Sequence, residues 1–187
     1  MEAQKGEGEV VMSSDLLLPV GFRFMPTDEE LVRYYLMNKA CFRVVPVADA
    51  IQEIDATRFY SNHPKNLVFY FNNAVTFSNG EREWFFFIHE DDENYSGSCR
   101  SHAQRRRNVR EVGNGIGFWK PSGSENPIYS KDGNVFATKI FLTYFSGSCH
   151  SKKPKRTHWK MVEYHLQIRR EWVVLGKLQR GMDYTGF

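Results

Sequence analysis

Trp84-Phe85-Phe86-Phe87-Ile88 is the most restrictive stretch of this chain. Five large apolar residues in a row are too few for a typical helix and are rich in strand-forming types. Four further runs, 117–122, 135–145, 158–166 and 172–178, also read as strands. The turn signals Asn114-Gly115, Asp132-Gly133 and Ser146-Gly147 separate them. Upstream the pattern is helical. Thr27-Asp28-Glu29-Glu30 fits a capping box, in which the Thr27 hydroxyl accepts from the Glu30 amide and the Glu30 carboxylate reaches back to the Thr27 amide. Leu31, Tyr34, Tyr35 and Asn38 follow at helical spacing and predict a stripe that faces a core. A second short helix is predicted from Ile54 to Tyr60. Helices first and strands afterwards predict an α+β fold with an antiparallel sheet, not alternating βαβ units.

The 187 residues, 41% hydrophobic and 15% aromatic, suffice for one domain with a core and exclude a disordered chain. Residues 1–15 read as a loose acidic tail, 16–180 as the folded domain and 181–187 as a short tail. The net charge of +3 hides an asymmetry. Residues 1–98 hold 8 Lys/Arg against 16 Asp/Glu, whereas residues 99–187 hold 17 against 6. A basic half of net +11 beside an acidic half of net −8 points to an anionic partner. Two segments are basic without an acid. One carries Arg100, Arg105, Arg106, Arg107 and Arg110; the other carries Lys152, Lys153, Lys155, Arg156 and Lys160.

No apolar run is long enough for a membrane span, and the N-terminus lacks the basic start and apolar block of a secretory signal. Cys41, Cys99 and Cys149 are an odd, widely spaced set, which points to a reducing compartment. The sequon Asn94-Tyr95-Ser96 is then a chance match. Cys99, His102, Cys149, His150 and His158 invite a zinc reading, but Cys99 and His102 form half a site for which no matching half follows. No nucleophile elbow, Walker loop or H-E-x-x-H occurs, and Glu90-Asp91-Asp92-Glu93 reads as a solvated turn. An enzyme, a cofactor and a small-molecule substrate are therefore not expected.

Six blocks together resemble the NAC domain, the DNA-binding domain of a plant transcription-factor family. Residues 18–31, Leu-Pro-Val-Gly-Phe-Arg-Phe-Met-Pro-Thr-Asp-Glu-Glu-Leu, are similar to its opening signature LPPGFRFHPTDEEL. Ile51-Gln52-Glu53-Ile54-Asp55 resembles its I-x-E-x-D block, and Glu83-Trp84-Phe85-Phe86-Phe87 its EWYFF. Gly117-Phe118-Trp119-Lys120-Pro121-Ser122-Gly123 is similar to GYWKATG. Residues 157–166 resemble TNWIMHEYRL, and Trp172-Val173-Val174-Leu175 resembles WVLCR. The blocks stand in the family's order and cover about residues 16–180.

The resemblance implies a twisted antiparallel β-sheet flanked by a few helices, working as a homodimer or as a heterodimer with other NAC proteins. It implies a nuclear protein that binds double-stranded DNA through the strand around Trp119, Lys120, Ser122 and Gly123, set edge-on in the major groove. Lys120 is expected at a base edge or a phosphate, while Trp119 taken alone favours the core. Arg100, Arg105, Arg106, Arg107 and Arg110 are the phosphate-binding candidates, since the guanidinium fork matches phosphate oxygens. Lys152, Lys153, Lys155 and Arg156 read three ways: phosphate contacts beside Lys139, a nuclear localisation signal, or a solubilising loop. Leu18, Phe22, Arg23, Thr27 and Glu30 are the expected dimer contacts, with Arg23 and Glu30 bridging protomers, against a local reading in which Glu30 only closes its own capping box. The block departs from the family at Pro121, where Ala is usual, and at Asn126, where Lys is usual. These departures, and a chain that ends soon after the last block where family members carry a long regulatory region, support an alternative: a partner that sequesters other NAC proteins and binds DNA poorly.

Overall fold

The computed structural model describes residues 24–45, 50–70, 75–76, 82–90, 109–113, 115–167 and 172–181. The capping box forms as predicted. Thr27 Oγ1 accepts from the Glu30 amide at 3.2 Å, and Glu30 Oε2 accepts from the Thr27 amide at 2.8 Å. Helix α1 (Asp28–Glu30) continues into a π-helical segment (Leu31–Leu36) and then α2 (Met37–Ala40). The π segment changes which residues face inward. Its bonds skip five residues, as from the Met37 amide to the Val32 carbonyl, so Leu31 and Leu36 fall on one side. Leu31 is buried and Tyr35 packs against the core as expected, but Val32 and Leu36 are buried with them and Tyr34 is 59% exposed, which corrects the stripe at Tyr34.

Among the described residues a nine-stranded sheet follows. Its main path runs β1 (Ile51–Asp55), β3 (Arg82–His89), β9 (Val173–Arg180), β8 (Lys155–Leu166), β7 (Val135–Ser146), β5 (Gly117–Pro121), β4 (Arg110–Val112). β2 (Val75–Thr76) pairs with β3, and β6 (Asn126–Tyr129) with β7. All pairs are antiparallel except β1 with β3. That exception has a covalent cause: α3 (Ala56–Ser61) and α4 (Pro64–Tyr70) lie in the connection and supply the crossover a parallel pair needs. Ile54 therefore belongs to a strand, not to the helix predicted from it. Asp55 sets the boundary, its Oδ1 accepting from the Arg58 amide at 2.6 Å as the N-cap of α3.

The sheet is covered on both faces, which explains the run at 84–88. Phe85 and Phe87 join one core with Leu31, Val32, Leu36, Val162 and Tyr164. Trp84, Phe86 and Ile88 join the other with Phe59, Trp119, Ile140 and Tyr144. Alternate residues of a strand point to opposite faces, so a central strand with a core on each side is apolar throughout. Among the described residues, no helix is long and apolar enough to cross a membrane.

Candidate nucleic-acid interface

β5 is buried along Gly117, Phe118 and Trp119 and emerges at Lys120. On one side it pairs with β7 over its whole length. On the other, β4 reaches only as far as Trp119, opposite Arg110. Among the described residues no strand pairs with Lys120 or Pro121 on that second side. This open edge is a position a proline tolerates, since it donates no amide. Beyond it, the Ser122 amide donates to the Phe141 carbonyl at 2.7 Å, and the Ser122 and Thr143 hydroxyls lie 3.2 Å apart. Gly123 turns the chain at φ +80°, a conformation that favours glycine. Lys120, Pro121, Gly123, Ser124 and Glu125, with the apolar Val109 and Ile140, line a groove beside this edge.

Strand register gathers the cations. Lys120 lies opposite Thr143, and Thr143 opposite Lys160. Directly opposed residues share a face, so the two lysines flank a buried threonine on one side of the sheet. In the next row Phe118 opposes Phe145, and Phe145 opposes Arg156. Lys120, Arg156 and Lys160 are exposed, as are Lys152, Lys153 and Lys155 in the turn and the first position of β8. Lys160 lies in the basic segment of the sequence, but only register shows it to be in line with Lys120.

Two predicted residues, Arg110 and Lys139, are placed differently, while Trp119 takes the core position it favours when taken alone. Arg110, expected among the phosphate-binding arginines, faces inward with Trp119. Its Nη2 donates to Glu163 Oε2 at 2.6 Å, and its guanidinium lies over the Tyr60 ring. The cause is Glu163, fully buried, which also accepts from the Tyr60 hydroxyl at 2.6 Å and lies 3.2 Å from His165 Nε2. Burial opposes its ionisation, but the Arg110 charge and the His165 and Tyr60 contacts outweigh it, and the carboxyl falls to about 2. Trp119 is fully buried against Tyr144 with ring centroids 5.1 Å apart, so it anchors β5 from beneath. Lys139 is half-buried and ion-paired with Asp28. Burial raises the Asp28 pKa, but hydrogen bonds from Lys139 and the Tyr164 hydroxyl prevail and hold it below the ordinary value.

The sequence matches the family described as No apical meristem (NAM) protein over residues 19–166. The chain belongs to the NAM/NAC-domain family. It is 35% identical to Protein ATAF2 of Arabidopsis thaliana over 83% of this chain and 46% of that protein. It is 37% identical to NAC transcription factor 56 of the same plant, over 80% of this chain and 35% of the relative. NAC domain-containing protein 67 of Oryza sativa subsp. japonica is 36% identical over 82% of this chain and 47% of its own length. The chain thus spans less than half the length of these relatives. The family is one of plant transcription factors that bind DNA, and the curled, mostly antiparallel sheet with short helices accords with it.

Arg100, Arg105, Arg106 and Arg107 of this NAC domain lie outside the described residues, as do Leu18, Phe22 and Arg23 of the expected dimer contact. Thr27 and Glu30 are described, and they engage each other within one protomer.

Proposed function

We propose that this NAC domain is a nuclear, dimeric transcription-factor module that reads double-stranded DNA with the exposed end of β5. The observation that carries the reading is the row Lys120–Thr143–Lys160, with Arg156 on the same face and Lys152, Lys153 and Lys155 at the adjoining turn. Phosphate contacts from the basic turn and from Arg100, Arg105, Arg106 and Arg107 set register, and Lys120 with the Ser122–Gly123 turn meets base edges. Trp119 acts from below by fixing the strand. Leu18, Phe22, Arg23, Thr27 and Glu30 form the dimer contact, and two protomers then present two strands to two half-sites.

Selection from a random duplex library with wild type and Lys120→Ala tests this. Loss of sequence preference beyond the loss of bulk affinity is the expected result. A uniform loss across sequences reduces Lys120 to a phosphate contact, and no enrichment by wild type removes the reading.

One set of observations favours the second reading, a dimerisation partner that sequesters other NAC proteins. Two cations from the expected set, Arg110 and Lys139, are held by Glu163 and Asp28, and Pro121 takes an amide from the reading strand. Failure to shift duplex alone, together with a stable complex with a second NAC protein, supports sequestration.

A further inference from the structure

We propose that Glu111, Cys149 and His150 form a zinc site, with three protein ligands and a fourth position open to solvent, that clips edge strand β4 to the turn after β7. The Cys149 thiol donates to Glu111 Oε1 at 2.6 Å, and His150 Nε2 lies 3.7 Å from the same oxygen. The three donor atoms all fall within 4.8 Å of one another. Tetrahedral zinc, with bonds of about 2.0–2.3 Å, spaces its ligand atoms roughly 3.3–3.8 Å apart. The donors therefore reach bonding positions by shifts of about 1 Å. Those shifts are unobstructed, because the His150 and Glu111 side chains are 88% and 58% exposed.

The backbone beneath is fixed. Glu111 is held in β4 opposite Phe118. The turn is tied to the same hairpin, the Gly147 amide donating to the Ile116 carbonyl at 2.9 Å. Within the turn, the Ser151 amide donates to the Ser148 carbonyl at 3.0 Å, and the His150 amide to Ser148 Oγ at 3.2 Å. The ligands thus converge from two anchored segments.

Chemistry selects the ion. A thiolate, an imidazole and a carboxylate suit zinc, whereas calcium and magnesium favour oxygen ligands. Zinc takes the place of the Cys149 thiol proton, which passes to solvent, and its two positive charges balance the thiolate and the carboxylate. Ligand spacing along the chain does not disclose this site, because strand pairing brings the carboxylate to a Cys-His pair 38 residues away.

Cobalt and zinc titrations of the full chain test the site. Wild type is expected to bind one Co2+ with a thiolate-to-cobalt charge-transfer band that Zn2+ abolishes, and Mg2+ leaves the band unchanged. Cys149→Ser removes the band. Glu111→Gln and His150→Ala each weaken zinc binding by calorimetry about tenfold or more. A band that survives in Cys149→Ser, no band in wild type, or zinc affinity unaltered by Glu111→Gln and His150→Ala overturns the proposal. Circular dichroism of each variant confirms folding, which these solvent-facing substitutions leave intact.

Discussion

Glu163 bears a charge in the interior, and its partners make that charge a stability term. Its folded carboxyl, at about 2, lies below the ordinary 4.5. The stabilisation is therefore complete above about pH 4.5 and disappears as pH falls toward 2. Glu163→Gln leaves the Arg110 guanidinium buried without the carboxylate it is hydrogen-bonded to. The expected cost near neutral pH is about 3–5 kcal/mol, the range for breaking a buried pair by removing one member. Urea unfolding of both proteins across pH 2 to 7 checks the sign: the gap between them narrows as pH drops through that window. A gap of constant size contradicts the assignment. The same residue explains why Arg110 reads differently in the sequence. It ends a run of arginines and carries the same chemistry, yet its acidic partner lies 53 positions downstream, beyond any local pattern.

At the scale of elements, β5 depends on a close approach. A Cβ on Gly117 would lie 2.1 Å from Tyr144 Oη and 2.6 Å from the Phe145 carbonyl oxygen. The second neighbour is backbone of the paired strand, so side-chain rotation alone does not make room. Gly117→Ala is expected to cost about 1–3 kcal/mol or more by overpacking. It also weakens DNA binding beyond the fraction unfolded, because Lys120 shifts with the strand. Thermal melts and binding at a temperature where the variant is folded separate the two effects. Elements with strong local signals are legible in the sequence: the Thr27–Glu30 box and the run at 84–88 give a helix start and a strand directly. Leu31–Leu36 is legible as a helix but not in its phase, because a π segment drifts from the 3.6-residue period. β4 and β6 are hidden for another reason. Arg110-Glu111-Val112 and Asn126-Pro127-Ile128-Tyr129 have little alternation of their own and become strands through β5 and β7.

Across the whole molecule, the basic half of the sequence does not become a uniformly basic surface. Folding turns Arg110 to the face opposite Lys120 and ties Lys139 to Asp28, while Lys152, Lys153, Lys155 and Arg156 stay exposed beside the Lys120–Lys160 row. This division makes a quantitative prediction about salt. Each phosphate contact releases counterions and adds about 0.9 to the slope of log affinity against log salt. Five contacts per protomer correspond to a slope near −4.5, on the order set by that rule. Replacing Lys152, Lys153, Lys155 and Arg156 singly with Ala reduces the slope by about 0.9 wherever the side chain meets a phosphate, with little change in melting temperature. Lys139→Ala behaves in the opposite manner. Its ammonium serves Asp28, so the slope stays near the wild-type value while the melting temperature falls. Fluorescence anisotropy on one duplex across a salt series, paired with thermal melts, distinguishes the two classes. A full unit of slope lost with Lys139→Ala, or none lost across the four turn variants, means that cations other than those exposed on this face carry the interaction.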